Sequence, residues 1–135
     1  MREYVVTCCS TADMSRTFME TNEVPFAMFH YQLDGKEYAD DLYSSISPEV
    51  FYKMIGDGAQ PVTSQVNVEA YCALFEPVLK SGKDVLHLTL SSGISGSINS
   101  ANVAKTQMEE KYPDRRVMVV DSLAASSGYG MLVEP

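Results

Sequence analysis

Residues 84–97 read DVLHLTLSSGISGS. The first seven are apolar apart from Asp84, His87 and Thr89, a run that suits a strand covered on both faces. The next seven hold four serines and two glycines. From Ile98 to Lys111 the pattern becomes helical. A strand, a serine–glycine turn and a helix form the centre of an alternating α/β unit. The turn admits four readings: a plain connection, a phosphate cradle, a hydrolase nucleophile or a carboxylate site.

The same alternation extends both ways along the chain. Tyr4 to Cys9 (YVVTCC) reads as a buried strand, stopped by Ser10-Thr11-Ala12-Asp13, with a short helix over 14–21. Residues 24–33 (VPFAMFHYQL) read as a second strand, and Asp34-Gly35 predicts a tight hairpin with a return strand over 36–40. Ser47-Pro48-Glu49 opens a helix through Asp57, with Val50, Phe51, Met54 and Ile55 as its apolar stripe. Pro61 to Gln65 reads as a loop. Asn67 caps a helix that Gly82 stops, and Pro77 inside it predicts a kink or an early end. Arg116 to Val120 is another strand, and residues 123–133 look like the start of a helix without a stop signal before Pro135. The expected fold is a three-layer α/β domain: a mostly parallel sheet covered by helices on both faces, plus a small hairpin.

The 135 residues suit one domain, and 45% hydrophobic residues suffice for a core. The net charge of −8 argues against nucleic acid and anionic membranes as partners, since no basic stripe exists to neutralise phosphates. No apolar stretch approaches a membrane span. Cys8, Cys9 and Cys72 include an adjacent pair and no C-x-x-C, so they read as small buried hydrophobes in a reducing cytosol rather than as a disulfide frame or metal site. The expected location is cytoplasmic, with no cofactor and no metal.

In an open parallel sheet, ligands bind beyond the carboxyl ends of the strands. Hydroxyl clusters fall at four places suited to that rim: Ser10-Thr11, Thr63-Ser64, Ser91 to Ser97, and Asp121-Ser122. Each also suits plain helix capping or a turn. Together they suit an anion held by hydroxyls and helix-start amides. No lysine follows Gly96, so the Walker pattern is absent, and the dinucleotide G-x-G-x-x-G is absent too. G-I-S-G-S approaches a nucleophile elbow, but His30 and His87 both precede Ser95 and sit inside strands. A carboxylate held by neutral donors fits the residue types, and the eight Met, eight Tyr and five Phe suit an apolar slot for an acyl tail.

Ser10-Thr11-Ala12-Asp13, Pro61-Val62-Thr63-Ser64-Gln65, Ser91-Ser92-Gly93-Ile94-Ser95-Gly96-Ser97 and Val120-Asp121-Ser122 resemble, in order and spacing, the DegV family. The likeness runs along the whole chain but only through the family's front domain. It implies a bacterial fatty-acid-binding protein, not an enzyme, holding one acyl chain between front and rear α/β domains. It also implies a partner, a separate fatty acid kinase to which the acid is presented. By position, Thr63 and Ser95 would bind the carboxylate and Ser92, Gly93 and Gly96 would shape the loop. Ser64 and Gln65 would hold the turn, with Ser10, Asp121 and Ser122 as supports. Cys9 stands where the family usually has Asp, Val66-Asn67 replaces Pro-Ser, and Ser97-Ile98 replaces Thr-Tyr. The rear domain, absent from residues 1–135, would leave apolar surface open to self-association. The rival reading is an enzyme, a serine hydrolase or a phosphate-binding enzyme using the SSGISGS loop.

Overall fold

The computed structural model describes residues 2–134. Strand β1 covers Tyr4–Cys9 and runs into a single 3-10 turn, Ser10–Ala12. Helix α1 covers Arg16–Thr21, two residues later than expected, because Ser15 is its cap and accepts from the Phe18 amide.

The expected strand over 24–33 is two strands in two sheets. β2 (Phe26–Ala27) pairs in parallel with β1, whereas β3 (His30–Leu33) joins an antiparallel sheet. Between them the Phe29 amide donates to the buried Ser10 hydroxyl at 3.1 Å. An apolar run reports burial, which both halves achieve. It does not report which sheet supplies the hydrogen bonds.

β4 (Lys36–Ala39) closes the expected hairpin. Asp34 and Gly35 both take left-handed backbone, φ 51° and 76°, as a two-residue turn between twisted strands requires. Helix α2 (Pro48–Gly56) starts at Ser47 as expected, yet none of its residues is buried. Its stripe lies against only one thin sheet: Phe51 meets Tyr31 edge-on at 5.5 Å, while Val50 stays 51% exposed. Part of the expected loop over 61–65 is strand β5 (Val62–Ser64), which extends the hairpin into a three-stranded sheet, β4-β3-β5.

Helix α3 (Val68–Lys80) is capped by Asn67 and runs past Pro77 without ending early. β6 (Asp84–Thr89), α4 (Ser97–Lys111), β7 (Val117–Asp121) and α5 (Ser126–Val133) complete the order. Glu134 leaves α5 in extended backbone, and Pro135 lies outside the described residues.

The main sheet is parallel, ordered β2-β1-β6-β7. From β1 the chain steps outward to β2, and from β6 it steps outward to β7 on the other side. The order therefore reverses between β1 and β6, where a crevice opens beyond the strand ends. Adjacent residues of β1 show that both faces are covered. Cys8 Sγ lies 4.0 Å from Met19 Sδ of α1, and Cys9 Sγ lies 3.4 Å from the Tyr71 hydroxyl of α3. All three cysteines are free, and burial pushes the Cys8 and Cys9 thiols up. They pack as hydrophobes and stay protonated.

The α3 face of the core centres on His87. Tyr71 and Phe75 stack at 5.8 Å and both meet the imidazole edge-on, at 5.1 and 5.2 Å. His87 Nδ1 is 2.8 Å from Thr7 Oγ1. Burial lowers its pKa to about 3, so the ring is neutral in the folded chain. At the strand ends, the Tyr129 hydroxyl of α5 accepts from the Cys9 amide at 3.0 Å and donates to the Leu88 carbonyl. It bridges β1 and β6 just where their ladder stops, after Thr7–His87. Gly130 allows this approach: a Cβ there would lie 2.7 Å from the Ala12 carbonyl oxygen and 2.6 Å from Met14 Sδ. Among the described residues, no helix is long and apolar enough to cross a membrane.

Two outcomes are expected. Gly130→Ala should cost about 1–3 kcal/mol by overpacking, seen as a lower thermal midpoint, because the Ala12 backbone cannot swing aside as a flexible side chain does. The folded-state pKa of His87 lies below its unfolded value near 6.5, so its contribution is present above pH ~6.5 and lost as pH falls toward about 3. Urea unfolding between pH 6.5 and 4 should show a pH slope that His87→Asn reduces by up to ~1.4 kcal/mol per pH unit; an unchanged slope would mean that the ring is already charged.

Candidate functional site

β1, β6 and β7 are parallel, so the segments that follow them emerge at one edge of the sheet. Three of the four hydroxyl clusters sit there: Ser10-Thr11, Ser91 to Ser97, and Asp121-Ser122. The fourth, Thr63-Ser64, arrives on β5. Thr63 and Ser95 line one cavity of about 360 Å³, together with the polar Thr11, Ser64 and Gln65 and the apolar Phe29, Leu90 and Ile94. Among the described residues, no lysine, arginine or acid lines it.

The loop after β6 is held from within. The Ser91 hydroxyl accepts from the Gly93 amide at 3.2 Å, and the Ser91 carbonyl accepts from the amides of Ile94 and Ser95. Asp121 Oδ1 accepts from the Ser92 amide at 3.2 Å and the Leu123 amide at 3.0 Å. Hydrogen bonds from Ser92 and Leu123 hold the Asp121 carboxyl below the usual range, so it is charged when it braces this loop. Ser122 folds back on Ala124, its hydroxyl accepting from the Ala124 amide at 3.2 Å and donating to the Ala124 carbonyl at 3.0 Å. Ser92, Gly93, Asp121 and Ser122 thus shape the loop and lie outside the cavity wall.

Ser95 Oγ donates to Ser97 Oγ at 3.0 Å and accepts from the Ser97 amide at 3.2 Å. Among the described residues, no acceptor takes the amides of Gly96 and Ile98. They stand at the start of α4, where a helix carries partial positive charge. Gly96 also lets two loops interlock: a Cβ there would lie 3.1 Å from both the amide nitrogen and oxygen of Gln65. Ser64 Oγ reaches the His30 carbonyl at 3.4 Å. These contacts bring Thr63 and Ser95 to one space from positions 32 residues apart in the chain.

Ser10 does not face the cavity. It is fully buried, and its hydroxyl accepts from the Phe29 amide. Thr11, its neighbour, faces the cavity instead. The hydroxyl pair was visible in the sequence, but which member lines the cavity depends on the 3-10 turn. Ser91 was visible only as part of a serine run, although it accepts three hydrogen bonds within the loop.

A second cavity of about 270 Å³ adjoins the first and shares Thr11, Phe29 and Thr63 with it. Tyr31, Tyr43, Ile46, Phe51 and Tyr52 give it apolar walls, and Asp13, Asp40 and Asp41 give it carboxylates. Burial raises the Asp40 pKa against a hydrogen bond from Ser10. The first cavity is thus lined by neutral polar and apolar residues, and the second by aromatic residues and carboxylates.

Residues 5–135 match the family profile described as Uncharacterised protein, DegV family. The chain belongs to the DegV family. The DegV domain-containing protein CPE0026 of Clostridium perfringens is 35% identical over 133 residues, which is 98% of this chain and 46% of that protein. A fatty acid (stearic acid)-binding protein from Eubacterium ventriosum superposes with a TM-score of 0.87 at 30% identity, over 97% of this chain and 45% of that one. A fatty-acid-binding DegV family protein from Thermus thermophilus gives 0.85 at 30% identity, over 98% and 45%. The fatty acid kinase B3 protein of Streptococcus pneumoniae, loaded with linoleic acid, shares the DegV fold at 0.78 and 22% identity, over 98% and 46%. The chain spans less than half the length of these relatives.

The brace on the DegV loop has a direct readout. In Asp121→Ala the amides of Ser92 and Leu123 should exchange with deuterium faster, while β1 and β6 amides keep their protection. Unchanged exchange at Ser92 would show that Ser91 holds the loop alone.

Proposed function

We propose that this rim binds the carboxylate of a long-chain fatty acid through the hydroxyls of Thr63 and Ser95 and the free amides of Gly96 and Ile98. The observation that carries the reading is the shared cavity: the residues that carry two hydroxyls, Thr63 and Ser95, line one space without a cation among the described residues, and α4 begins directly after Ser95. Neutral donors stabilise a carboxylate through charge-assisted hydrogen bonds, each about twice as strong as a neutral one. Binding turns the Ser95 hydroxyl from Ser97 to the ligand, exchanging a neutral bond for a charged one, while the Ser97 amide keeps Ser95 Oγ in place. Ser64, Gln65, Gly96, Ser92, Gly93, Ser10, Asp121 and Ser122 support by fixing the turns.

The names of the relatives at 30% identity, both fatty-acid binders, support the choice of ligand. Phe29, Leu90 and Ile94 would receive the first methylenes of the tail. The remaining methylenes, each worth about 0.8 kcal/mol when buried, call for apolar surface beyond this chain. That surface corresponds to the further length the relatives possess. The role that follows is a cytoplasmic carrier presenting the acid to a fatty acid kinase, rather than an enzyme. A hydrolase would need a base on Ser95. Its proton goes to Ser97, and His87 is spent on Thr7 in the core.

Octanoate, soluble and short, tests the head-group site on the 135-residue chain. NMR titration should move the amides of Ser95, Gly96 and Ser97, and Thr63→Val and Ser95→Ala should each weaken binding about tenfold. Equal shifts with octanol would show that no anion is recognised. Turnover of a generic ester that disappears in Ser95→Ala would favour the hydrolase.

A further inference from the structure

Ser97 opens α4 and is only 1% exposed. It holds Ser95 twice: its amide donates to Ser95 Oγ at 3.2 Å, and the two hydroxyl oxygens lie 3.0 Å apart. A single proton bridges two hydroxyls, so the direction of that bond decides what Ser95 has left to offer. When Ser95 donates, its proton is spent on Ser97, and the buried Ser97 proton must go to a third group. The Tyr71 hydroxyl of α3, buried beside Ser97, takes it. When Ser97 donates instead, both lone pairs of Ser95 Oγ are filled by one residue, through an N–H and an O–H. Ser95 is then a donor only, and its proton is free for an acceptor outside the pair.

We propose that Ser97 is a positioning residue for Ser95, and that its hydroxyl bond reverses direction when a carboxylate enters the first cavity. This assignment rests on the carboxylate reading of that cavity. It adds no donor to the anion and instead orients one already assigned. In the ligand-free chain both protons are satisfied internally, Ser95 to Ser97 and Ser97 to Tyr71. In the bound chain Ser95 donates to the anion and Ser97 donates to Ser95. The number of hydrogen bonds made by the pair is the same in both states. Tyr71 Oη keeps Cys9 Sγ, 3.4 Å away, as its partner throughout. A hydroxyl that accepts hydrogen bonds is also a stronger donor, because bonds in a chain polarise one another. With both lone pairs taken, Ser95 Oγ is poorly placed to attack a carbonyl, which agrees with a binder rather than a hydrolase.

The test compares wild type, Ser97→Ala, Ser97→Thr and Ser95→Ala, reading octanoate affinity by NMR titration. Alanine removes the Ser97 hydroxyl and keeps its amide, whereas threonine keeps both. Ser97→Ala should bind octanoate about three- to tenfold more weakly, and Ser97→Thr should recover most of that loss. The carbon resonance of Tyr71 Cζ, which bears the hydroxyl, supplies a signature that a purely structural role would not produce. Tyr71 does not line the cavity, so a shift of this resonance on adding octanoate reports through Ser97. It should move in wild type and stay still in Ser97→Ala. Octanoate bound by wild type and weakened in Ser95→Ala, but unchanged in Ser97→Ala, overturns the Ser97 assignment and leaves the carboxylate reading standing. So does a Tyr71 resonance that stays still in wild type, or a loss in Ser97→Ala that threonine fails to restore. Wild type that binds no octanoate overturns both.

Discussion

One hydroxyl stands at the point where this fold opens. β1 and β6 are joined as far as Thr7 and His87, and then they part. The backbone groups that parting would orphan, the Cys9 amide and the Leu88 carbonyl, are both taken by the Tyr129 hydroxyl. A parallel sheet buried on both faces has no water to satisfy such groups, so a side chain must. The crevice between strand ends therefore depends on α5, which supplies this tyrosine. Tyr71 of α3 approaches the Cys9 side chain, so the same residue of β1 is fixed by two helices.

From that fixed point the rim of hydroxyls follows. The turn after β1 and the loop after β6 leave adjacent strands, and each spends most of its polar groups on itself or on a neighbouring loop. What remains uncommitted is small: the Thr11 hydroxyl and the first amides of α4. The net charge of −8 does not oppose an anionic ligand strongly at this place. At physiological salt, charges more than about 8–10 Å away are largely screened, and nearby oriented dipoles decide. The acidic lining of the adjoining cavity is close enough to matter, and it divides a groove of similar apolar walls into two unlike halves.

Local chemistry made much of this legible. Ser47-Pro48, Asn67 and Asp34-Gly35 act within a few residues of themselves, so cap, helix start and turn could be read directly. β1 and β6 were readable because burial on both faces leaves a mostly apolar run; β7 is as apolar, although Met118 is 60% exposed. Information that depends on a partner far along the chain was not readable. Residues 24–33 are apolar throughout, but their assignment to two sheets comes from Ser10 and from β5. The stripe of α2 has helical spacing, yet no second layer covers it. Tyr129 sits in a short helix of small and apolar residues, where nothing local marks it as the bridge between two strands. Thr63 and Ser95 were expected from a family likeness and line one cavity, whereas that Thr11 rather than Ser10 lines it depends on the turn itself.

The pairing of Tyr4 with Asp84 has a temporal side. On a ribosome adding roughly 5–20 residues per second, β1 emerges on the order of ten seconds before the strand it must pair with. During that interval the Val5–Cys9 backbone has no β6 beside it, and its apolar side chains have no α3 to cover them. The wait lengthens further before Tyr129 arrives to seal the gap. A layout that places its central strand first thus trades early commitment for a long exposed interval during translation.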